Sequence, residues 1–150
     1  MGITPRPSFA RVARARSAEQ GMVEQAAREG LIAPDIAAAL ADPEITSHLL
    51  FTGFEVVSDL ESLTGPAGGE VEVPAHLRDG ELGERVDLSD PWQREALYRR
   101  VLVDGSTADQ AAVLNRHVLI ELWHKALAPG PVLRVWQGRF PELAIGQAAP

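Results

Sequence analysis

The 150-residue chain contains no cysteine, which excludes disulfides, thiolate metal ligands and thiol nucleophiles. Aromatic residues are also scarce, at 5% of the chain. No stretch approaches the roughly 20 apolar residues that a helix needs to span a bilayer, and the N-terminal segment lacks the apolar core of a secretory signal. We therefore expect a cytoplasmic protein that does not enter a membrane.

The composition is otherwise that of a folded globular protein. Hydrophobic residues make up 45% of the chain and charged residues 23%, so the chain can bury a core without a covalent staple. Its length fits one ordinary domain. The abundance of Ala, Arg, Leu, Gly and Pro is typical of a high-GC bacterial genome or of its phage.

Acidic residues are absent from the first sixteen positions, which hold Arg6, Arg11, Arg14 and Arg16. The stretch Asp35–Glu95 then carries fourteen acids against three arginines, and the whole chain has a formal net charge of −7. Separated charges of opposite sign indicate association and steering rather than a particular reaction.

Capping residues and apolar periodicity predict a mainly α fold of five to six helices in a single compact bundle-like domain. The helices are expected over Phe9–Glu29, Pro34–Ala41, Pro43–Leu63, Pro91–Val103, Thr107–Leu127 and Pro131–Gln137. Gly30 is expected to end the first in a left-handed conformation, and Asp90 to cap the fourth, with Gln93 at the capping-box position. Phe140 and Leu143 are expected to anchor the C-terminal tail.

The segment between the helical halves has no helical period. Val71 and Val86 each lie within short stretches of alternating apolar and charged residues, which predict a small β-hairpin around residues 70–88. We therefore divide the chain into a flexible arm (1–7), one helical domain (8–143) and a frayed tail (144–150). Within the domain, residues 65–89 join the helical halves 8–64 and 90–143 as a loop or hairpin.

A metal site is the first chemical hypothesis. His117, Glu121 and His124 fall within one narrow wedge of the predicted helix, and Glu-x-x-His is the pairing that di-iron carboxylate bundles use. That motif occurs once here, and the two histidines lie about 10.5 Å apart along the axis. A solvent-facing wedge is therefore the favoured interpretation, with no cofactor and no enzyme active site. The alternative is a small metal-binding protein or enzyme that uses these three residues.

DNA binding is the second hypothesis. The predicted helices 91–103 and 107–127 have the outline of a helix-turn-helix, in which Thr107 and Gln110 would begin the reading helix, helped by Arg11 and Arg14. The chain would then be a transcriptional regulator or an antitoxin-like protein. The negative net charge disfavours nucleic acid as a partner.

The favoured hypothesis is a regulatory or adaptor protein that binds a protein partner or a second copy of itself. Arg11, Arg14 and Arg16 are the predicted contacts for an acidic partner, and the acidic loop Glu70–Asp87 suits a basic one. Trp92 begins its helix, where core packing is the favoured interpretation. An exposed Trp92 would instead be an interface anchor.

Overall fold

A computed structural model describes residues 21–79 and 82–143. The chain divides into two compact units, Met1–Gly53 and Phe54–Pro150. The described residues are mainly helical and include one small antiparallel sheet, so the predicted fold class is confirmed at that level. The assignment of residues 8–143 to one domain stays a prediction. In the described part of the chain, none of the helices combines the length and apolar character that crossing a membrane requires.

The first unit contains three described helices. Residues 21–28 form α1, and Gly30 ends it with a φ of 76°, as the sequence predicted. The predicted start of this helix at Phe9 lies outside the described residues. Helix α2 spans Pro34–Leu40 and begins at its proline, because a proline at the first helical position loses no hydrogen bond.

The long helix predicted over Pro43–Leu63 is wrong in extent. Helix α3 covers only Ser47–Thr52, after Thr46 accepts a hydrogen bond from the Leu49 N–H as its N-cap. Gly53 stops it with a φ of 73°, a conformation that glycine adopts without a steric penalty. The chain continues without a helix until the short 3-10 turn Leu60–Ser62.

A buried glutamine explains why the second unit begins as an extended segment. Gln110 is fully buried, and its side-chain amide accepts the Val57 N–H at 3.1 Å and donates to the Glu55 carbonyl at 2.8 Å. The Arg139 guanidinium donates to the Val56 carbonyl at 3.0 Å. These bonds satisfy backbone groups that a helix would pair internally, so tertiary contacts override the helical period here.

The predicted hairpin is present. Strand β1 (Glu70–Glu72) pairs antiparallel with β2 (Arg85–Asp87), so that Val71 lies opposite Val86. Val86 is buried while its neighbours on β2 are exposed, which is the alternation expected of a strand with one covered face. The 3-10 turn Ala75–Leu77 lies in the connection between the strands.

Helix α4 (Pro91–Asp104) closely follows its prediction, whereas the next predicted helix is divided. Helix α5 covers Thr107–Val113 and α6 covers Arg116–Leu122, followed by the 3-10 turn Trp123–Lys125. The described helices are thus more numerous than predicted, because this predicted helix is two helices. Ser106 and Asp109 form the capping box of α5.

Asn115 causes the break between α5 and α6. Its side chain accepts the Val118 N–H as the N-cap of α6, and its own N–H donates to the buried Tyr98 hydroxyl at 2.9 Å. The Asn115 amide also donates to the Gly65 carbonyl at 3.0 Å, while the Gly65 N–H donates to the Leu114 carbonyl at 2.9 Å. Backbone groups freed at the break are therefore paired across the fold.

The C-terminal helix closes the core of the second unit. Helix α7 spans Gly130–Arg139, two residues longer at its C-terminus than predicted. Trp136 is fully buried between Trp123 and Phe140, at ring-centroid distances of 6.3 and 5.7 Å. Phe140 and Leu143 are buried as predicted. The tail predicted to fray after Ala144 lies outside the described residues.

Replacing Gln110 with methionine tests the buried hydrogen bonds. Gln110→Met keeps the length of the side chain but leaves the Val57 N–H and the Glu55 carbonyl unpaired. At about 1–3 kcal/mol for each of these two orphaned groups, the free energy of unfolding in urea should fall by roughly 2–6 kcal/mol. Gln137→Met on the half-exposed face of α7 is the control and should change it by less than about 0.5 kcal/mol. Equal effects in the two variants would contradict the role given to Gln110.

A glycine-to-alanine pair tests the packing at the helix break. A Cβ on Gly65 would lie 2.3 Å from the Val113 carbonyl oxygen, whereas a Cβ on Gly68 would meet open space. Gly65→Ala should therefore destabilise the protein by about 3 kcal/mol or more, because backbone atoms must move to make room. Gly68→Ala should be near neutral in the same urea titration. A Gly65→Ala variant as stable as the parent would show that Gly65 lies farther from the Val113 carbonyl than described.

Candidate functional site

Trp92 is the most exposed large apolar side chain on the second unit, at 79% exposure. Core packing, the favoured interpretation from the sequence, is therefore wrong for Trp92. Its backbone position is nevertheless fixed, because the Asp90 carboxylate caps α4 by accepting the Trp92 N–H at 2.9 Å. The hydrogen bond from the Gln93 side chain, with that from Trp92, lowers the pKa of Asp90, so the cap stays ionised at neutral pH.

Gln93 connects this helix start to the hairpin. Its amide nitrogen donates to the Asp90 carboxylate at 3.0 Å, and its amide oxygen accepts the Asp87 N–H at 2.9 Å. The sequence predicted a capping-box bond from Gln93 back to the Asp90 backbone; the side chain instead bridges α4 and β2. The first turn of α4 and the end of β2 are therefore held together by one side chain.

A groove of about 220 Å³ lies beside Trp92, between α4 and β2 with the loop before it. It is lined by Trp92, Gln93 and Ala96 from α4 and by Leu82, Gly83, Arg85 and Val86 from the hairpin. Arg85 is the only charged residue among them. We call Trp92 with this groove the Trp92 surface.

A second groove, of about 240 Å³, continues along α4 and shares Leu82 and Ala96 with the first. Its arginines are already engaged within the protein. The Arg100 guanidinium lies 3.1 Å from the Asp104 carboxylate, and Arg99 donates to the Glu95 carboxylate at 2.7 Å and to the Ala126 carbonyl at 2.9 Å. This part of α4 consequently offers a new partner less unpaired charge than the number of arginines suggests.

Both grooves are smaller than the 300–1,000 Å³ or so that is usual for small-molecule sites. Each has room for a side chain of a partner rather than for a nucleotide or a flavin. Among the described residues, no group of three or more His, Asp or Glu side chains is arranged to hold a metal ion.

The residues of the metal hypothesis do not form such a group. His117 and Glu121 lie exposed on α6, and His124 lies exposed in the 3-10 turn that follows. The His124 ring nitrogen Nδ1 contacts the Glu121 carbonyl oxygen at 2.9 Å, a local contact within the end of the helix. Helix α6 ends before His124, so the wedge drawn for one continuous helix does not apply.

The two residues predicted to begin a DNA-reading helix, Thr107 and Gln110, differ in their exposure to solvent. Thr107 is exposed at the start of α5, but Gln110 is fully buried and its amide binds the extended segment described above. Gln110 therefore does not lie on a surface that could read bases, and this part of the prediction is corrected. Arg11, Arg14 and Arg16 lie outside the described residues, so their roles stay predictions.

Asp109 forms a second polar cluster that the sequence did not reveal. Its carboxylate accepts the Ser106 N–H at 2.9 Å and contacts the His76 ring nitrogen Nε2 at 2.7 Å. Burial is the largest influence and raises the pKa of Asp109, but the hydrogen bonds from Ser106 and His76 together outweigh it, so the pKa is lowered. The cluster ties the hairpin connection to the start of α5, where the Ser106 hydroxyl accepts the Asp109 N–H at 3.1 Å as part of the helix cap.

Arg85 is the residue of the Trp92 surface that sequence reasoning missed. The alternation around Val86 predicted the strand, but nothing local indicates that β2 lies against the start of α4. The sequence signal for the contact between β2 and α4 is Gln93. It is a polar side chain that follows Trp92 directly and lies within reach of the preceding strand.

Comparison with known proteins supplies no further assignment, since no family model, no curated protein and no solved structure matches this chain.

The Asp109 cluster predicts a dependence of stability on pH. A carboxyl group whose pKa is lowered in the folded state stabilises that state above its unfolded pKa of about 3.9, and this stabilisation is lost as the pH falls through the folded value. Asp109→Asn should therefore be less stable than the parent at pH 7, and the gap should narrow toward pH 3. Urea unfolding across that range measures it. A gap that stays constant with pH would contradict an ionised Asp109 as the stabilising species.

Proposed function

We propose that this chain is a protein-binding module, with a regulatory or adaptor role, that engages its partner through the Trp92 surface. The observation that carries the proposal is the 79% exposure of Trp92 beside a groove, on a helix turn fixed by Asp90 and Gln93. A large aromatic side chain left in water offers about 1.5–3 kcal/mol of apolar burial to a partner that covers it.

Tryptophan suits this role for a physical reason. It presents a large apolar area with few rotatable bonds, so little conformational entropy is lost when a partner covers it. Interface residues whose truncation costs the most are enriched in tryptophan and cluster where water is excluded. The groove beside Trp92 lies on this chain and would receive a side chain of the partner that covers Trp92.

A protein partner is favoured over other partners by charge and volume. The chain carries a net charge of −7, and Arg99 and Arg100 on the same helix are engaged by Glu95, Asp79 and Asp104. A nucleic-acid interface would need several cations free to neutralise phosphates. The grooves are of side-chain size, which favours a protein surface over a free metabolite.

Position-specific photo-cross-linking followed by affinity measurement tests the proposal. A photoreactive phenylalanine analogue at position 92 identifies the partner, and the same analogue at position 51 is the control, because Phe51 is 76% exposed but belongs to the first unit. The identified partner is then titrated by calorimetry against the parent and the variants Trp92→Ala and Phe51→Ala.

Trp92→Ala should weaken partner binding by about 30-fold or more, which corresponds to the 2 kcal/mol or so of an interface hot spot. Phe51→Ala should leave the affinity within about threefold of the parent. A partner whose affinity falls with Phe51→Ala and not with Trp92→Ala would overturn the assignment of the interface to the Trp92 surface.

A further inference from the structure

The outward edge of strand β2 lies beside the Trp92 surface and is open at one residue. The Leu88 N–H donates to the Gly69 carbonyl and the Val73 N–H to the Glu84 carbonyl, which fixes the alternation of the ladder. In an antiparallel pair, every second residue turns its N–H and C=O away from the partner strand. On β2 those residues are Arg85 and Asp87.

Asp87 is already engaged on this edge, because its N–H donates to the Gln93 side chain and its carbonyl accepts the Asp90 N–H. Gln93 belongs to α4, so the outward edge of β2 faces α4. Arg85 points its backbone groups toward the same side, where the groove beside Trp92 lies. Among the described residues, no group pairs with the Arg85 N–H or carbonyl.

We propose that a segment of the partner binds in extended form along β2, pairing its backbone with Arg85 and placing a carboxylate next to a large apolar side chain. This inference rests on the proposed function and specifies the chemistry of the partner. Strand addition at an exposed edge obtains its affinity from backbone hydrogen bonds and its specificity from pockets for alternate side chains.

The carboxylate is inferred from Arg85. Among the described residues it is the only charged one that lines the groove. Its ion pair with Glu70 spans 3.7 Å with both side chains about two-thirds exposed, so the pair holds the guanidinium weakly. An acid directly across from Arg85 would form a favourable cross-strand pair. The added residue opposite Arg85 is therefore expected to be Asp or Glu.

The apolar neighbour follows from the alternation of side chains along a strand. Arg85 is exposed and Val86 is buried on the opposite face of β2, on the side of the groove that Leu82, Ala96 and Trp92 complete. A residue adjacent to the acid in the added segment would point to that side. Its side chain would fill the groove and cover Trp92.

A second copy of this chain is a less suitable occupant. Pairing two β2 edges about Arg85 would set two arginines opposite each other, and like charges in that position are destabilising. Pairing β2 with the acidic outer edge of β1 from another copy would not close into a dimer and would give open chains. Both arrangements would appear as a native mass that rises with protein concentration.

Random peptides displayed on phage are the probe. They are selected on the parent protein and counter-selected on Trp92→Ala, and the enriched sequences are synthesised. The enriched peptides should contain Asp or Glu directly beside a large apolar residue. Their binding is measured by the change in tryptophan fluorescence that Trp92→Ala abolishes. Arg85→Glu should weaken this peptide about tenfold or more, while Arg28→Glu, an exposed arginine in the first unit, should not.

N-methylation of single peptide bonds tests the extended geometry. Methylation of the residue that donates to the Arg85 carbonyl should reduce the affinity about five- to tenfold, and methylation of the next residue should have little effect. Enrichment of Lys or Arg, insensitivity to N-methylation, or no Trp92-dependent sequence at all would each overturn the inference, as would a native mass that rises with concentration at the selection conditions. If Arg85→Glu and N-methylation leave the affinity unchanged, while Trp92→Ala still weakens binding of the cross-linked partner, the strand addition is wrong and the proposed function stands.

Discussion

The second unit depends on one buried amide. Gln110 is the only buried polar residue in the described part of the chain, and its amide pairs with the backbone of residues 55, 57 and 105. Burying an amide is costly unless its donors and acceptors are paired, and here pairing it also pairs the backbone of an extended segment that forms neither helix nor sheet. The segment after Gly53 is thus extended because a side chain far along the sequence replaces the bonds of a helix.

A short series of contacts connects Gln110 with the Trp92 surface. Gln110 lies on α5, whose end is joined to α4 by the bond from the Asn115 N–H to the Tyr98 hydroxyl. In the first turn of α4, Gln93 holds the outer edge of β2. Trp92 and Arg85 therefore lie on neighbouring elements that Gln93 holds together, and a binding surface held in this way loses little entropy when a partner docks. The same polar bonds that stabilise the core thus keep the proposed interface in place.

Local sequence signals predicted the features whose causes are local. The alternation around Val71 and Val86 predicted the hairpin, and Asp90 predicted the start of α4, because turn and capping preferences act within a few residues. The helices expected at 43–63 and 107–127 failed for the opposite reason. Gln110 and Asn115 act across about 50 residues, on Glu55 and Gly65, and no helical period reports such bonds. The same distinction applies to the site: the sequence indicated an exposed Trp92 only as the alternative to core packing, and Arg85 became part of the site through tertiary packing.

Residue-resolved amide hydrogen exchange on the free protein tests the two central claims, that Gln110 pairs the buried extended segment and that the edge of β2 is open at Arg85. The account predicts that the Val57 amide, bonded to Gln110, exchanges only through global unfolding, whereas the Arg85 amide exchanges close to the rate of an unprotected peptide. Rapid exchange of the Val57 amide would show that its hydrogen bond to Gln110 is not formed. Strong protection at Arg85 would show that the edge is already occupied, and either result would contradict the account.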